Sequence, residues 1–473
     1  IGEGNIFQRA YDAVLRAALG PSVSQSTGQR TLSEIVLRDA GLSAEGAKLL
    51  RTDPVNEADI GKIKVSAGRR VLEGADGVDA ARVQKAADLA KRYSELSFID
   101  RATTRGKDIL TKLGQELTGM RADLASASKT ADGNVQKAQK AVDAAIEAFK
   151  TETDAYKTNA TDETGIRLKA SHEAMRSAEI ELLKAQKQQL ILEQAQKVAG
   201  KNPIKAAQLL SMQEYSPDFG SLSLSNSQKL AVEWVVRSTE YKINKVWQGS
   251  GKASDGTVFS FRDVQIKAAL ELLQGSRELG VLMTGGGKSQ AIGPLFVQLS
   301  FELTGKSGVF SAKDAQSLEV YNVMKPILGE DLYYFRNGRD LAGEPIDITL
   351  QQAQMAKAKY ILTEPSDIAF LADTMRSPRI TDRQRIASFD AFKQLITSNK
   401  FQDEFPEFYN PRNQWVMSYE GAATNGGSSL QLQLVSSMRQ VLENIGIFRE
   451  GRLGSGQERI NLGTYIEKEI TTS

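Results

Sequence analysis

The sequence predicts a multidomain chain of α plus α/β class. A long helical N-terminal half with an antiparallel coiled-coil hairpin precedes one P-loop α/β domain built on a mostly parallel sheet. Three observations carry this: apolar and small residues on a 3-4 spacing between Val135 and Leu192, an alternation of short β-rich and helical runs after about residue 258, and the stretch Leu279-Gly-Val-Leu-Met-Thr-Gly-Gly-Gly-Lys-Ser289.

Taken in order, residues 1–106 read as a helical domain of short helices broken by Gly and Pro, with Phe7 to Leu19, Leu32 to Ala40 and Asp79 to Leu96 as examples. Residues 107–212 form a helical region. One series in it runs Val135, Ala138, Val142, Ala145, Phe149 and Tyr156; a second runs Leu168, Ser171, Met175, Ala178, Leu182, Ala185, Gln189 and Leu192. Such spacing gives a helix a single apolar seam, and small residues in the seam let two helices approach closely. The polar stretch Thr158 to Thr164 suits a turn between them, and Gly200 with Pro203 supplies the stop. Residues 213–258 hold a helix from about Ser227 to Trp247 and then Gln248 to Gly256, whose glycines and small polar residues predict a flexible linker.

Residues 259–425 are expected to form the α/β domain. Its strands are Gly280 to Met283, Gly308 to Ser311, Leu332 to Phe335, Tyr360 to Thr363 and Trp415 to Met417, with helices between, an order that produces a parallel sheet with ligands at the strands' carboxyl ends. Residues 426–473 are read as a helical and irregular extension, with one amphipathic helix from Leu430 to Ile445.

Composition narrows the chemistry. The 473 residues contain no cysteine and one histidine, His172, which removes disulfides, Cys/His zinc sites, cysteine nucleophiles and Ser-His triads. His172 lies within a charged helical repeat and is read as a solvated surface residue. Lys and Arg total 60 against 58 Asp and Glu, so no global basic field exists to hold nucleic acid non-specifically. No apolar run approaches the ~20 residues of a membrane span. The remaining repertoire of Lys, Arg, Ser, Thr and carboxylates with a bound ion is that of phosphoryl transfer. The chain begins at Ile1 without a signal pattern and is expected to be a piece of a longer protein.

The glycine stretch fits that repertoire. A polyphosphate needs converging backbone N–H groups, which small residues allow, and a helix N-terminus whose dipole favours anions. Thr284, Gly285, Gly286 and Gly287 supply the close approach, Lys288 reaches the β- and γ-phosphates of ATP, and Ser289 ligates Mg²⁺. A helix from Gln290 to Leu303 follows, burying Ile292, Leu295, Phe296 and Leu299. The strict pattern places glycine where this chain has Leu282.

The flanks add a resemblance. Phe261-Arg-Asp-Val-Gln265 followed by Met283-Thr-Gly-Gly-Gly-Lys-Ser289 resembles the F-D-V-Q element and M-K-T-G-x-G-K-T loop of the SecA preprotein translocase motor. Gly308 to Gln316, Pro326-Ile-Leu-Gly329 and Ala356 to Met375 are similar to later segments of the same first nucleotide-binding core, in the same order. The resemblance covers residues 259 to 420. It implies a RecA-like core of superfamily-2 helicase type, with Gln265 reading adenine, Lys288 and Ser289 holding phosphate and Mg²⁺, and Thr363 near a translocated polymer, polypeptide or nucleic acid.

Two departures stand against full activity. The family's Asp-Glu pair follows a strand, which here is matched to Gln414 to Gly421, leaving only Glu420 as a catalytic acid; Asp403-Glu404 is read as a loop without a preceding apolar strand. A second core of ~150 residues, needed for an arginine finger, must come from sequence beyond residue 473 or from another chain. The expectation is therefore weak or no hydrolysis by this chain alone. Two functions remain open. One is a motor core that couples ATP to polymer translocation. The other is a catalytically degenerate module in a large assembly, such as a packaged phage protein, with the helical arm contacting protein. The compartment expected is cytoplasm, or the virion if phage-encoded.

Overall fold

The computed structural model describes residues 30–72, 78–251, 256–273, 287–312, 316–336 and 338–402. It divides the chain into two compact units, Ile1–Gly305 with Met324–Gly329, and Lys306–Val323 with Glu330–Ser473. The expected helix Phe7 to Leu19 and the expected strands Gly280 to Met283 and Trp415 to Met417 lie outside the described residues, as does the amphipathic segment Leu430 to Ile445.

The first unit is mostly helical. It opens with α1 (Leu32–Asp39), α2 (Ala44–Leu49) and α3 (Glu57–Ile60), then β1 (Lys64–Arg70). Next come α4 (Ala80–Glu95), α5 (Phe98–Ala102), α6 (Thr104–Gly119), α7 (Arg121–Thr158), α8 (Asp162–Ala199) and α9 (Pro203–Leu210). The strand β2 (Gln213–Asp218), α10 (Asn226–Gly249), α11 (Asp263–Leu273) and α12 (Gly293–Thr304) complete it. The helices expected at Leu32, Asp79 and Ser227 are present as α1, α4 and α10, with Thr31, Asp79 and Ser225 accepting from backbone N–H groups at their N-termini.

The two long helices α7 and α8, each 38 residues, run antiparallel and are joined by residues 159–161. Thr161 starts α8 by a reciprocal cap with Thr164. The facing series is buried as its spacing predicts: Val135, Val142, Phe149 and Tyr156 of α7 share a core with Leu168, Met175 and Leu182 of α8. The opposite end, Leu124, Ala127 and Ala131 against Ile191, Leu192, Ala195 and Val198, shares a core with α4, α6 and α9.

The fold corrects one expectation and adds two features that the sequence did not show. His172 is not on the surface: it is 3% exposed, its ring lies 6.0 Å from that of Phe149, and its Nε2 has no hydrogen-bond partner. The charged repeat misled because α8 packs on several neighbours at once and buries its charges in pairs, Arg176 with Glu302 of α12 and Lys187 with Glu240 of α10. The expected linker Gln248 to Gly256 is described only at its two ends. Gly256 is buried in a left-handed conformation (φ +80°), and a Cβ there would stand 2.5 Å from Cγ1 of Val198. The helical region also contains an unexpected antiparallel ribbon, β1 with β2, whose polar sequences show no alternation and whose partners are far apart in the chain. Because Val198 is a stiff β-branched residue on a helix, Gly256→Ala is expected to lower stability by about 1–3 kcal/mol, measurable by urea unfolding.

The second unit holds β3 (Gly308–Ser311), most of α13 (Ser317–Leu328), β4 (Leu332–Phe335), α14 (Ile348–Met355), β5 (Tyr360–Thr363), α15 (Pro365–Arg376), α16 (Asp382–Thr397) and β6 (Asn399–Gln402). Three strands fall where the sequence places them. The sheet is parallel throughout, in the order β4-β5-β3-β6. Val309, Phe335 and Ile361 pack with Ile348, Leu371, Phe392 and Leu395 of the covering helices, as a parallel sheet buried on its faces requires. The strand β6 adds an observation about Asp403-Glu404, which themselves lie outside the described residues. Its four residues pair in register with β3, so a strand does precede that acidic pair, concealed in the sequence by its alternation of Asn, Lys, Phe and Gln.

Candidate functional site

The described end of the glycine stretch is a left-handed turn that opens a helix. Gly287 is left-handed (φ +80°) and leads directly into a turn of π-helix, Lys288–Ile292, that continues as α12. The carbonyl of Gly287 accepts from the N–H groups of Ala291 (2.8 Å) and Ile292 (3.1 Å), closing the first turn. Lys288 and Ser289 are half-buried, and below them Ile292, Leu295, Phe296 and Leu299 are buried as expected. Thr284, Gly285, Gly286 and Glu420 lie outside the described residues.

Gln265 is brought to this turn from α11. It is buried, and a Cβ on Gly287 would lie 3.1 Å from its Nε2. Its Oε1 accepts from the N–H of Arg262 at 3.0 Å, a helix-capping contact. Two sequence elements more than twenty positions apart therefore meet, and at Gly287 the left-handed backbone angle favours glycine, with little room for a Cβ beside Gln265.

Behind Gln265 stands a buried polar network that the sequence reading missed. Lys187 donates to both carboxylate oxygens of Glu240 (3.0 and 2.9 Å) and to Ser260 Oγ (2.9 Å), and Arg237 lies 3.5 Å from the same carboxylate. Burial pushes the Glu240 carboxyl up, but the charges of Lys187 and Arg237 outweigh it and hold the group below the usual range. On α12, Gln298 donates to Thr239 (2.7 Å) and accepts from Lys242 (3.1 Å). Glu179 accepts from Ser33 and from Trp234 Nε1, and its carboxyl is raised by burial. The Glu240 and Asn244 spacing on α10 is visible in the sequence, but its partners are not.

His172 gives this unit a pH response. Burial first, and the Arg176 charge second, hold its pKa well below the ordinary value. A depressed histidine contributes stability that is complete above about pH 6.5 and is lost as pH falls toward the folded-state value. The raised carboxyls of Glu179 and Glu193 titrate with the opposite sign, so the comparison is with His172→Leu. The stability difference between variant and parent is expected to grow below pH 6.5 by up to about 1.4 kcal/mol per unit, read from urea melts between pH 7 and 5.

In the second unit, Thr363 closes β5 and is fully buried, its Oγ1 lying 3.4 Å from the Glu364 carbonyl. Glu364 follows at the carboxyl end of the sheet, where Ser317 and Tyr334 both donate to its Oε1. Tyr334 stacks on Tyr321 (5.4 Å), and burial followed by the carboxylate pushes its phenol far up. This cluster ties the start of α13 to β4 and β5.

No family model, curated protein or solved structure matches the chain. Among the described residues no group of acidic and histidine side chains is arranged to hold a metal ion by itself, and no helix is long and apolar enough to cross a membrane.

Proposed function

We propose that the chain carries a SecA-like, RecA-like ATP-binding core, residues 259–425, which works with a second core to couple ATP hydrolysis to movement of a polymer. The observation that carries this reading is the left-handed Gly287 opening onto Lys288 and Ser289, with Gln265 laid against it. In this reading the turn takes the phosphates of a nucleotide and Gln265 its base. Lys288 would neutralise phosphate charge, Ser289 would ligate Mg²⁺, and Gln265 would read the base. The bound Mg²⁺ supplies charge neutralisation on the phosphates, and the protein's part is to position them. Near-balanced charge favours a polypeptide over a nucleic acid as the polymer. The α7 and α8 pair is read as an antiparallel coiled-coil arm that contacts protein.

The strand β6 bears on the acidic role. A parallel strand beside β3 comes just before Asp403-Glu404 in the sequence, the order of the family's acidic pair, which makes this pair a second candidate for the acidic role beside Glu420. Phosphate release from the chain, supplied with a second core, is expected to fall at least about 100-fold in Glu404→Gln while ATP binding persists. Equal loss in Glu420→Gln, with Glu404→Gln unaffected, would leave the role with Glu420. Nucleotide binding without turnover under all conditions would favour the structural-module reading.

A further inference from the structure

The segment that carries Gln265 to the glycine turn is held along its length by side chains of the helical half. Asn244 of α10 bonds both backbone groups of Phe259: its Nδ2 donates to the carbonyl (2.9 Å) and its Oδ1 accepts from the N–H (2.8 Å). One turn earlier on the same helix face, Glu240 accepts from the N–H of Phe261 (2.8 Å) and from Ser260 Oγ (3.2 Å). Lys187 of α8 fixes the Glu240 carboxylate and bonds Ser260 itself. Trp247, Phe259 and Phe261 meet edge to face, with centroids 5.5 and 5.0 Å apart, and seat the same residues from the side. The next backbone group is Arg262 N–H, which Gln265 Oε1 accepts, and Gln265 Nε2 is the atom against Gly287. A run of bonds and backbone thus leads from α8 and α10 to Gln265, which stands against the glycine turn.

A loop whose only task was to join α10 to α11 would be satisfied by water. Here three successive residues are gripped by buried groups, at the expense of burying Lys187, Arg237 and Glu240. Buried ion pairs contribute little to stability against apolar residues of the same size, and their best-attested use is to fix one arrangement among several.

We propose that Asn244 and Glu240, braced by Lys187, are positioning residues for base recognition: they hold Phe259 to Phe261 so that Gln265 faces a nucleobase bound beyond Gly287. The proposal rests on the nucleotide reading given above. It makes the helical half the scaffold of adenine specificity, while the glycine turn alone accounts for phosphate binding. These residues touch no ligand and act through Gln265.

The test compares Mg²⁺-ATP with Mg²⁺-tripolyphosphate, by titration calorimetry on the full 473-residue chain. Asn244→Ala removes one clamp, and the paired change Lys187→Met with Glu240→Leu removes the other without leaving a lone buried charge. Glu240→Gln retains an acceptor for Phe261 N–H. Asn244→Ala and the paired variant are each expected to weaken ATP about tenfold and change tripolyphosphate by less than about twofold, with Gln265→Ala behaving alike and Glu240→Gln keeping the ATP preference. A merely structural role would weaken both ligands equally, and that result, or no change with either, overturns the proposal. Tripolyphosphate binding in the parent without preference for ATP would overturn the base-positioning role and leave the glycine turn as a phosphate site. Binding of neither ligand would remove the nucleotide reading along with it.

Discussion

Lys288→Ala is expected to reduce affinity for a fluorescent ATP analogue by about 10- to 100-fold, because a charge-assisted bond to phosphate is worth roughly 1.5–3 kcal/mol. The side chain stands at the head of the π-turn, half-exposed, while the helix beneath is anchored by Ile292, Leu295, Phe296 and Leu299. Its removal takes away ligand charge neutralisation without opening a cavity. Thermal melting of the apo protein should therefore stay within about 1 °C of the parent, since changes at such partly exposed positions are small. Equal nucleotide affinity in parent and variant would sink the phosphate role of the glycine turn. The αL backbone at Gly287 would then be only a helix cap.

Phe149→Ala is expected to cost about 3–5 kcal/mol of stability in the helical unit. Phe149 is fully buried in the seam between α7 and α8, in the core shared by Val142, Ile146, Leu168 and Met175. Its ring also abuts His172, whose Nε2 already lacks a partner, so the cavity would open beside an uncompensated polar atom. Two 38-residue helices with no such seam would gain little from their own hydrogen bonds in water, because helices in proteins owe most of their stability to packing of an apolar face. Urea unfolding followed by helix content measures the loss, and Phe149→Leu should recover most of it. A change under about 1 kcal/mol in Phe149→Ala would show that the seam is not what holds the pair together.

Much of the fold was legible because it is written locally. The 3-4 spacing from Val135 to Leu192 reports the face on which the two helices meet, and its large apolar residues are buried there, although α8 buries other faces as well. Gly308 to Ser311, Leu332 to Phe335 and Tyr360 to Thr363 are short β-branched and aromatic runs bounded by breakers, and each forms a strand of the parallel sheet. Gly287 with Lys288 and Ser289 was legible for the same reason, since the turn and the helix it starts are adjacent in sequence.

The charged residues were not legible, because charge by itself says nothing of where its partner is. Lys187 finds Glu240 across 53 positions and Arg176 finds Glu302 across 126, so a pattern read as a solvated face became an interior. His172 was misplaced by that reading. The strand β6 was missed because Asn399, Lys400 and Gln402 lack strand character; its pairing with β3 supplies what local preference does not.

The sequence by itself determined where most helices and three strands begin, which faces are apolar, and that Gly287, Lys288 and Ser289 open a helix. Tertiary structure alone decided that Gln265 lies against that turn, that Asn244 and Glu240 grip the segment leading to it, and that a strand precedes Asp403. The physical reason is the range of the interactions: backbone preference and periodicity act over a few residues, whereas ion pairs, strand pairing and close packing exist only once distant segments meet.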